Sequence, residues 1–128
     1  MELATFADDV LKLNPKIRYV GVYYHADLIG KHREGLESML TEDESMRSLR
    51  GSVIRMNSRK ALQHKLGLPR YGLALYDKIF RITFPLKDDD ILLISIDSDC
   101  DIMDIINKII PLQQSLVEEL YQFTPNSN

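Results

Sequence analysis

The densest run of potential ligand atoms in this sequence is Asp97-Ser98-Asp99-Cys100-Asp101, whose alternating oxygens resemble the opening of a calcium-binding loop. Such a loop requires glycine at its sixth position and a bidentate acid at its twelfth. Ile102 and Lys108 stand there instead. A strand-to-helix turn explains the same residues, because aspartates cap helix N-termini and suit the positive end of the helix dipole. His25, His32 and His64 are the three histidines, and Cys100 is the single cysteine. His25 and His32, seven apart, can converge around a loop, but these few side chains make no recognisable metal set. No Walker loop, G-x-G-x-x-G turn or G-x-S-x-G elbow occurs, and no Cys/His nucleophile pair suggests itself. The sequence therefore assigns no catalytic, metal or cofactor-binding residue, and a non-enzyme is expected.

Charge is unevenly distributed. From Ser45 to Tyr76 there is no acid, while Arg47, Arg50, Arg55, Arg59, Lys60, Lys65 and Arg70 all fall there. Asp88 to Asp104 holds seven aspartates and no base. A basic helix can hold phosphates, other anions or an acidic protein. The net charge of −3 argues against nucleic acid, whose partners are usually basic. The blander expectation is a solvated face paired with the acids of the same fold or of a second subunit.

The elements that must position these residues follow from size and periodicity. At 128 residues, 45% of them hydrophobic and 27% charged, the chain is one globular domain. One cysteine, no basic-then-apolar leader and no apolar run near the ~20 residues of a membrane span make a cytoplasmic protein the expectation. Leu3, Phe6, Ala7, Val10 and Leu11 form one helical face ending before Asn14-Pro15. Ile17–Tyr24 reads as a strand whose tyrosines line a core or groove, and Asp27–Lys31 as a short second strand. Thr41 and Glu44 form a capping-box signature for a helix over Glu44–Leu66, ended by Gly67 and Pro69. On that helix Met46, Leu49, Val53, Ile54, Met56 and Ala61 share one broad face.

Strands Tyr71–Tyr76, Ile79–Phe84 and Ile91–Ile96 follow. Phe80, Ile82 and Phe84 alternate with Arg81 and Thr83, so that strand buries one face. Ile91–Ile96 is nearly all apolar, as in a central strand covered on both faces. A last helix carries Ile102, Ile105, Ile106 and Ile109, and Pro111 is expected to kink or break it. Leu112, Leu116, Leu120 and Phe123 continue the apolar stripe. The chain thus reads as a single domain over 1–123, with a helical extension over 111–123 and a flexible tail at 124–128. Its class is α+β: a five-stranded antiparallel sheet with helices on both faces, in the order α-β-β-α-β-β-β-α.

That order resembles the roadblock (dynein light-chain-like) domain, a relative of the profilin and longin folds. The residues that carry the resemblance are Ile17-Arg18-Tyr19-Val20-Gly21-Val22, the long middle helix, Phe80-Arg81-Ile82-Thr83-Phe84-Pro85, and Ile91-Leu92-Leu93-Ile94-Ser95-Ile96 leading into an acid-capped helix. Ile17–Gly21, Arg33-Glu34-Gly35 and the block from Phe84-Pro85-Leu86 to Leu92-Leu93 are similar to a group of uncharacterised archaeal proteins. The resemblance implies a non-enzymatic homodimer in which middle helices lie together and third strands pair edge to edge. Many such domains dock on Ras-like GTPases or act as scaffolds. Carried onto this chain, it implies dimer residues Met46, Leu49 and Val53 on the helix and Tyr71, Leu73 and Leu75 on the strand. Arg55, Arg59 and Lys65 are expected to meet an acidic partner, and Leu116 and Leu120 to offer an apolar stripe to a partner or the dimer. Two alternatives stay open: a PAS- or GAF-like sensor of a small ligand, and an anion- or nucleic-acid-binding regulator using the basic helix.

Overall fold

A computed structural model describes residues 2–122. Phe123 and the expected tail, 124–128, lie outside the described residues. The elements are α1 (Leu3–Leu11), β1 (Ile17–Tyr24), β2 (Asp27–His32), α2 (Glu42–Lys60), α3 (Gln63–Leu66), β3 (Gly72–Leu75), β4 (Ile79–Pro85), β5 (Ile91–Asp97) and α4 (Ile102–Leu120). The strands form one antiparallel sheet in the order β2-β1-β5-β4-β3. β5 takes the centre, and every residue from Ile91 to Ile96 is buried. That is the location its unbroken apolar run requires.

The two faces of the sheet are covered unequally. On one face α1 contributes Phe6, Ala7, Val10 and Leu11, and α4 contributes Ile105, Ile106, Ile109 and Leu116. They pack on Val20, Val22, Ile82, Phe84, Leu92, Ile94 and Ile96. On the other face α2 seats only Leu49 and Met56 over Ile91 and Leu93, with Tyr23, Leu28 and Val53 at the margin. The apolar contact under α2 is therefore small, and it leaves the space described below.

Local chemistry explains the joints. A bulge between Ile17 and Tyr19 shifts the β1–β5 register, so Ile17 shares the α1 face with Val20 despite its odd spacing. His25 and Ala26 turn the β1–β2 hairpin with positive φ of 51° and 68°. His25 is thus a turn residue. Its backbone N–H donates to Asp90 Oδ1 at 3.0 Å. Asp90 is buried, and its Oδ2 accepts from the Tyr121 hydroxyl at 2.6 Å, tying the hairpin to the end of α4. Arg33 donates to the carbonyls of Leu11 (2.6 Å), Ile17 (2.7 Å) and Asn14 (2.8 Å). It places a cation at the negative end of α1.

Two expectations are corrected. The middle helix does not run on to Leu66: α2 ends at Lys60, and α3 is a separate turn that buries no residue. Lys60 Nζ donates to the carbonyls of Leu86 and Asp88, anchoring the helix end at the β4–β5 turn. Beyond that anchor no tertiary burial supports continued helix. Of the kink or break expected at Pro111, the break does not occur, and α4 continues to Leu120. Asn107, four residues back, is exposed along with Pro111, so water solvates the carbonyl that loses its helical bond. Buried Ile109 and Leu116 hold the helix down on either side.

Candidate interaction surface and the cavity under α2

α2 begins with the expected capping box. Thr41 Oγ1 accepts from the Glu44 N–H at 3.1 Å, and Glu44 Oε1 accepts from the Thr41 N–H at 2.9 Å. The Thr41 N–H bonded to it holds the Glu44 carboxyl below its usual pKa. Only a narrow stripe of the helix is seated: Leu49, Ser52 and Met56 are buried and Val53 is half-buried. Met46 and Ile54 are exposed, which corrects the broad apolar face. Ile54 is five positions from Leu49, or roughly 140° around the helix. Arg55, Arg59 and Lys65 are exposed. Arg59 reaches over β3, where a Cβ at Gly72 would come within 2.8 Å of its Nη1.

β3 is an edge strand with no neighbour outside it among the described residues. Leu73 and Leu75 are exposed there, the latter 65%. Tyr71 packs instead on the core beside Phe84, with ring centroids 5.9 Å apart. Leu49 and Leu116 are buried within the chain, which corrects their expected contact with a partner. Leu120 packs partly on the main core. Other apolar groups that face outward are Ile54 on α2 (66% exposed) and, in the segment leading into β3, Leu66 (78%) and Leu68 (72%).

The acidic segment is largely occupied elsewhere. Asp99 pairs with Lys16 at 2.8 Å and Asp97 with Arg18 at 3.0 Å. Asp101 caps α4, accepting from the Asp104 N–H at 3.2 Å. Asp104 pairs with Lys108 at 3.1 Å. Burial, then Asp99 and Asp101, push the Cys100 thiol up, which opposes a nucleophilic thiolate. Asn57 Nδ2 donates to Asp89 Oδ1 at 2.7 Å, so the end of α2 does meet one acidic turn. Among the described residues, Arg47, Arg50, Arg55 and Arg59 have no carboxylate in ion-pair range.

Between α2, the loop before it and the sheet lies a cavity of about 930 Å³. Its floor follows from strand register: His32, Tyr19, Ser95 and Arg81 lie opposite one another across β2, β1, β5 and β4. Residues in register share a face. The Tyr19 ring lies across Gly21 and Gly30, where an added Cβ would come within 2.5 and 2.2 Å of its hydroxyl oxygen. Tyr19 and His32 rings sit 4.6 Å apart. Arg81 Nη2 donates to Ser48 Oγ at 3.1 Å. Burial is the main cause lowering its pKa, and the nearby Arg55 charge adds to it. Burial likewise raises the Tyr19 pKa.

The backbone as a whole is similar to solved structures. It matches a Roadblock/LC7 domain from Streptomyces avermitilis with a TM-score of 0.70 at 10% identity, over 94% of this chain and 98% of that one. The chain has the roadblock fold. Myxococcus xanthus MglB matches with a TM-score of 0.69 at 14% identity, over 93% and 94% of the two chains. The gliding protein MglB from Thermus thermophilus matches at 0.68 and 10%, over 90% and 85%. No protein-family model matches the sequence, and no curated protein matches it significantly.

Within the roadblock fold of this chain, sequence reasoning placed α2 and β3 at the surface but missed the cavity. A signal was present: Tyr19, Arg81 and Ser95 are polar positions within largely apolar strands, and one glycine falls in each of β1 and β2. Their convergence depends on strand order, which periodicity does not encode.

Proposed function

We propose that this chain is a homodimeric interaction module that works by binding another protein, without turning over a substrate. The observation that carries this reading is the open β3 edge with exposed Leu73 and Leu75, beside a helix that leaves Ile54 and its arginines to solvent. An apolar edge strand is a template for pairing, and pairing with a second copy removes it from solvent. A two-fold axis would join β3 to β3 and bring the two α2 helices together. An MglB structure of the same fold has a tetrameric arrangement, which supports self-association. The preferred partner is a Ras-like GTPase, on the fold's resemblance, or another protein with an acidic surface facing Arg59 and Lys65. Opposed charges of this kind steer encounter and select partners.

Light scattering of the full chain at micromolar concentration tests the dimer. The expected mass is twice that of one chain, and Leu73→Lys with Leu75→Lys is expected to halve it. A monomeric wild type would remove the reading. Capture of a Ras-like GTPase on the immobilised chain tests the partner, with Arg59→Glu and Lys65→Glu expected to weaken it. Repeated absence of capture would remove the GTPase and leave the dimer.

A further inference from the structure

The cavity under α2 holds positive charge that the chain itself does not neutralise. Arg81 stands in the sheet, partly withdrawn from water. Its one side-chain bond is to Ser48, and among the described residues no carboxylate lies in ion-pair range. A guanidinium carries five N–H donors and stays protonated. One serine therefore leaves most of that fork free to face the cavity, where a phosphate or carboxylate can be held by two parallel N–H bonds. Arg55 lines the same cavity from α2, its Nη2 3.3 Å from Ser52 Oγ. Arg47, Arg55, Lys78 and Arg81 line the space with Arg18, which Asp97 already pairs, against three acids, Glu37, Glu44 and Asp77. Glu44 is already engaged by the capping box. The charge complement that is missing is an anion.

The floor adds a second requirement. Tyr19 lies flat because Gly21 and Gly30 leave room beneath it, and its hydroxyl has no hydrogen-bond partner among the described residues. Leu36 and Met39, both exposed, line the cavity from the loop before α2. A ring laid on a sheet with apolar side chains around it is a stacking platform. We propose that this cavity binds a small organic anion with a flat apolar portion, its phosphate or carboxylate held by Arg81 and Arg55 and its flat portion resting on Tyr19. Such a site has the makeup of small-molecule pockets, apolar walls with a few placed polar groups. It does not depend on the dimer proposed above.

Calorimetric titration of the full chain with four probes tests this. The probes are adenosine monophosphate, indole-3-acetate, adenosine and inorganic phosphate. Adenosine monophosphate or indole-3-acetate is expected to bind at least about tenfold more tightly than adenosine or inorganic phosphate. Which of the two binds better assigns the anion to phosphate or carboxylate. Arg81→Gln is expected to weaken the better probe by about 10- to 100-fold. Arg55→Gln, on an exposed helix face where folding is preserved, is expected to weaken it in the same direction. Gly30→Ala displaces the Tyr19 ring, so it is expected to weaken the ring-bearing probes and spare inorganic phosphate. Arg50→Gln, exposed on α2 and outside the cavity, leaves all four unchanged. Saturation by none of the probes overturns the proposal, as does binding unaffected by both Arg81→Gln and Arg55→Gln. Equal affinity for inorganic phosphate and adenosine monophosphate overturns the role of Tyr19.

Discussion

Arg33→Met would remove one cation that serves three carbonyls, those of Leu11, Asn14 and Ile17, all within 2.8 Å of its nitrogens. The Leu11 carbonyl belongs to the last turn of α1, where no helical N–H reaches it. The Asn14 carbonyl keeps a second donor, the Ile17 N–H at 3.2 Å. Each hydrogen bond from a charged donor contributes about 1.5–3 kcal/mol. Arg33 is only partly buried, so water replaces some of what is lost. The loss is then about 2–4 kcal/mol, well short of three separate bonds. For a chain of this length that lowers the thermal midpoint by about 6–20 °C. Scanning calorimetry reads the midpoint, and native-state hydrogen exchange is expected to show the α1 amides losing protection first. Arg33→Lys recovers only part of the loss, because one ammonium cannot span three carbonyls as a planar fork does. A midpoint for Arg33→Met within about 2 °C of wild type would refute the reasoning.

Three further outcomes are expected. Tyr121→Phe strips the hydroxyl from buried Asp90 and costs about 1–3 kcal/mol at neutral pH by denaturant titration. Burial, reinforced by Asp90, raises the Tyr121 pKa, so its contribution is complete below the ordinary tyrosine pKa of about 10 and fades as pH rises above it. Wild type is expected to lose its advantage over Tyr121→Phe in that alkaline range, and parallel pH curves would rule the bond out as the cause. Ile94→Asp buries an unpaired charge at the centre of β5; circular dichroism is expected to show no cooperative unfolding, and a native-like melt would contradict the assigned core. Gly21→Ala costs about 1–3 kcal/mol by forcing Tyr19 aside. Tyr19→Ala in the same chain relieves that cost, and strictly additive effects in the double-mutant cycle would show that the two residues do not meet.

Local elements were legible because their causes are local. The α1 stripe, the Thr41–Glu44 box, the Gly67 stop at a φ of 87° and the central β5 follow from spacing, capping and unbroken apolarity. The roadblock fold was legible from the order of those elements. Outcomes set by competition among distant groups were not. α2 ends at Lys60 because the Leu86 and Asp88 carbonyls lie within reach. Leu116 is core because α4 runs unbroken past Pro111 and keeps that side on the sheet. Cys100, Asp99 and Asp101 became a capped turn paired with Lys16, while the basic helix was left facing a cavity. Sequence alone determined which residues were apolar, which were charged and where each helix could begin. Tertiary structure decided which charges meet, since strand order brings Tyr19, Ser95 and Arg81 into one row from positions up to 76 residues apart along the chain. A charge is neutralised by whatever the fold sets within a few ångströms, and chain spacing says nothing about that distance.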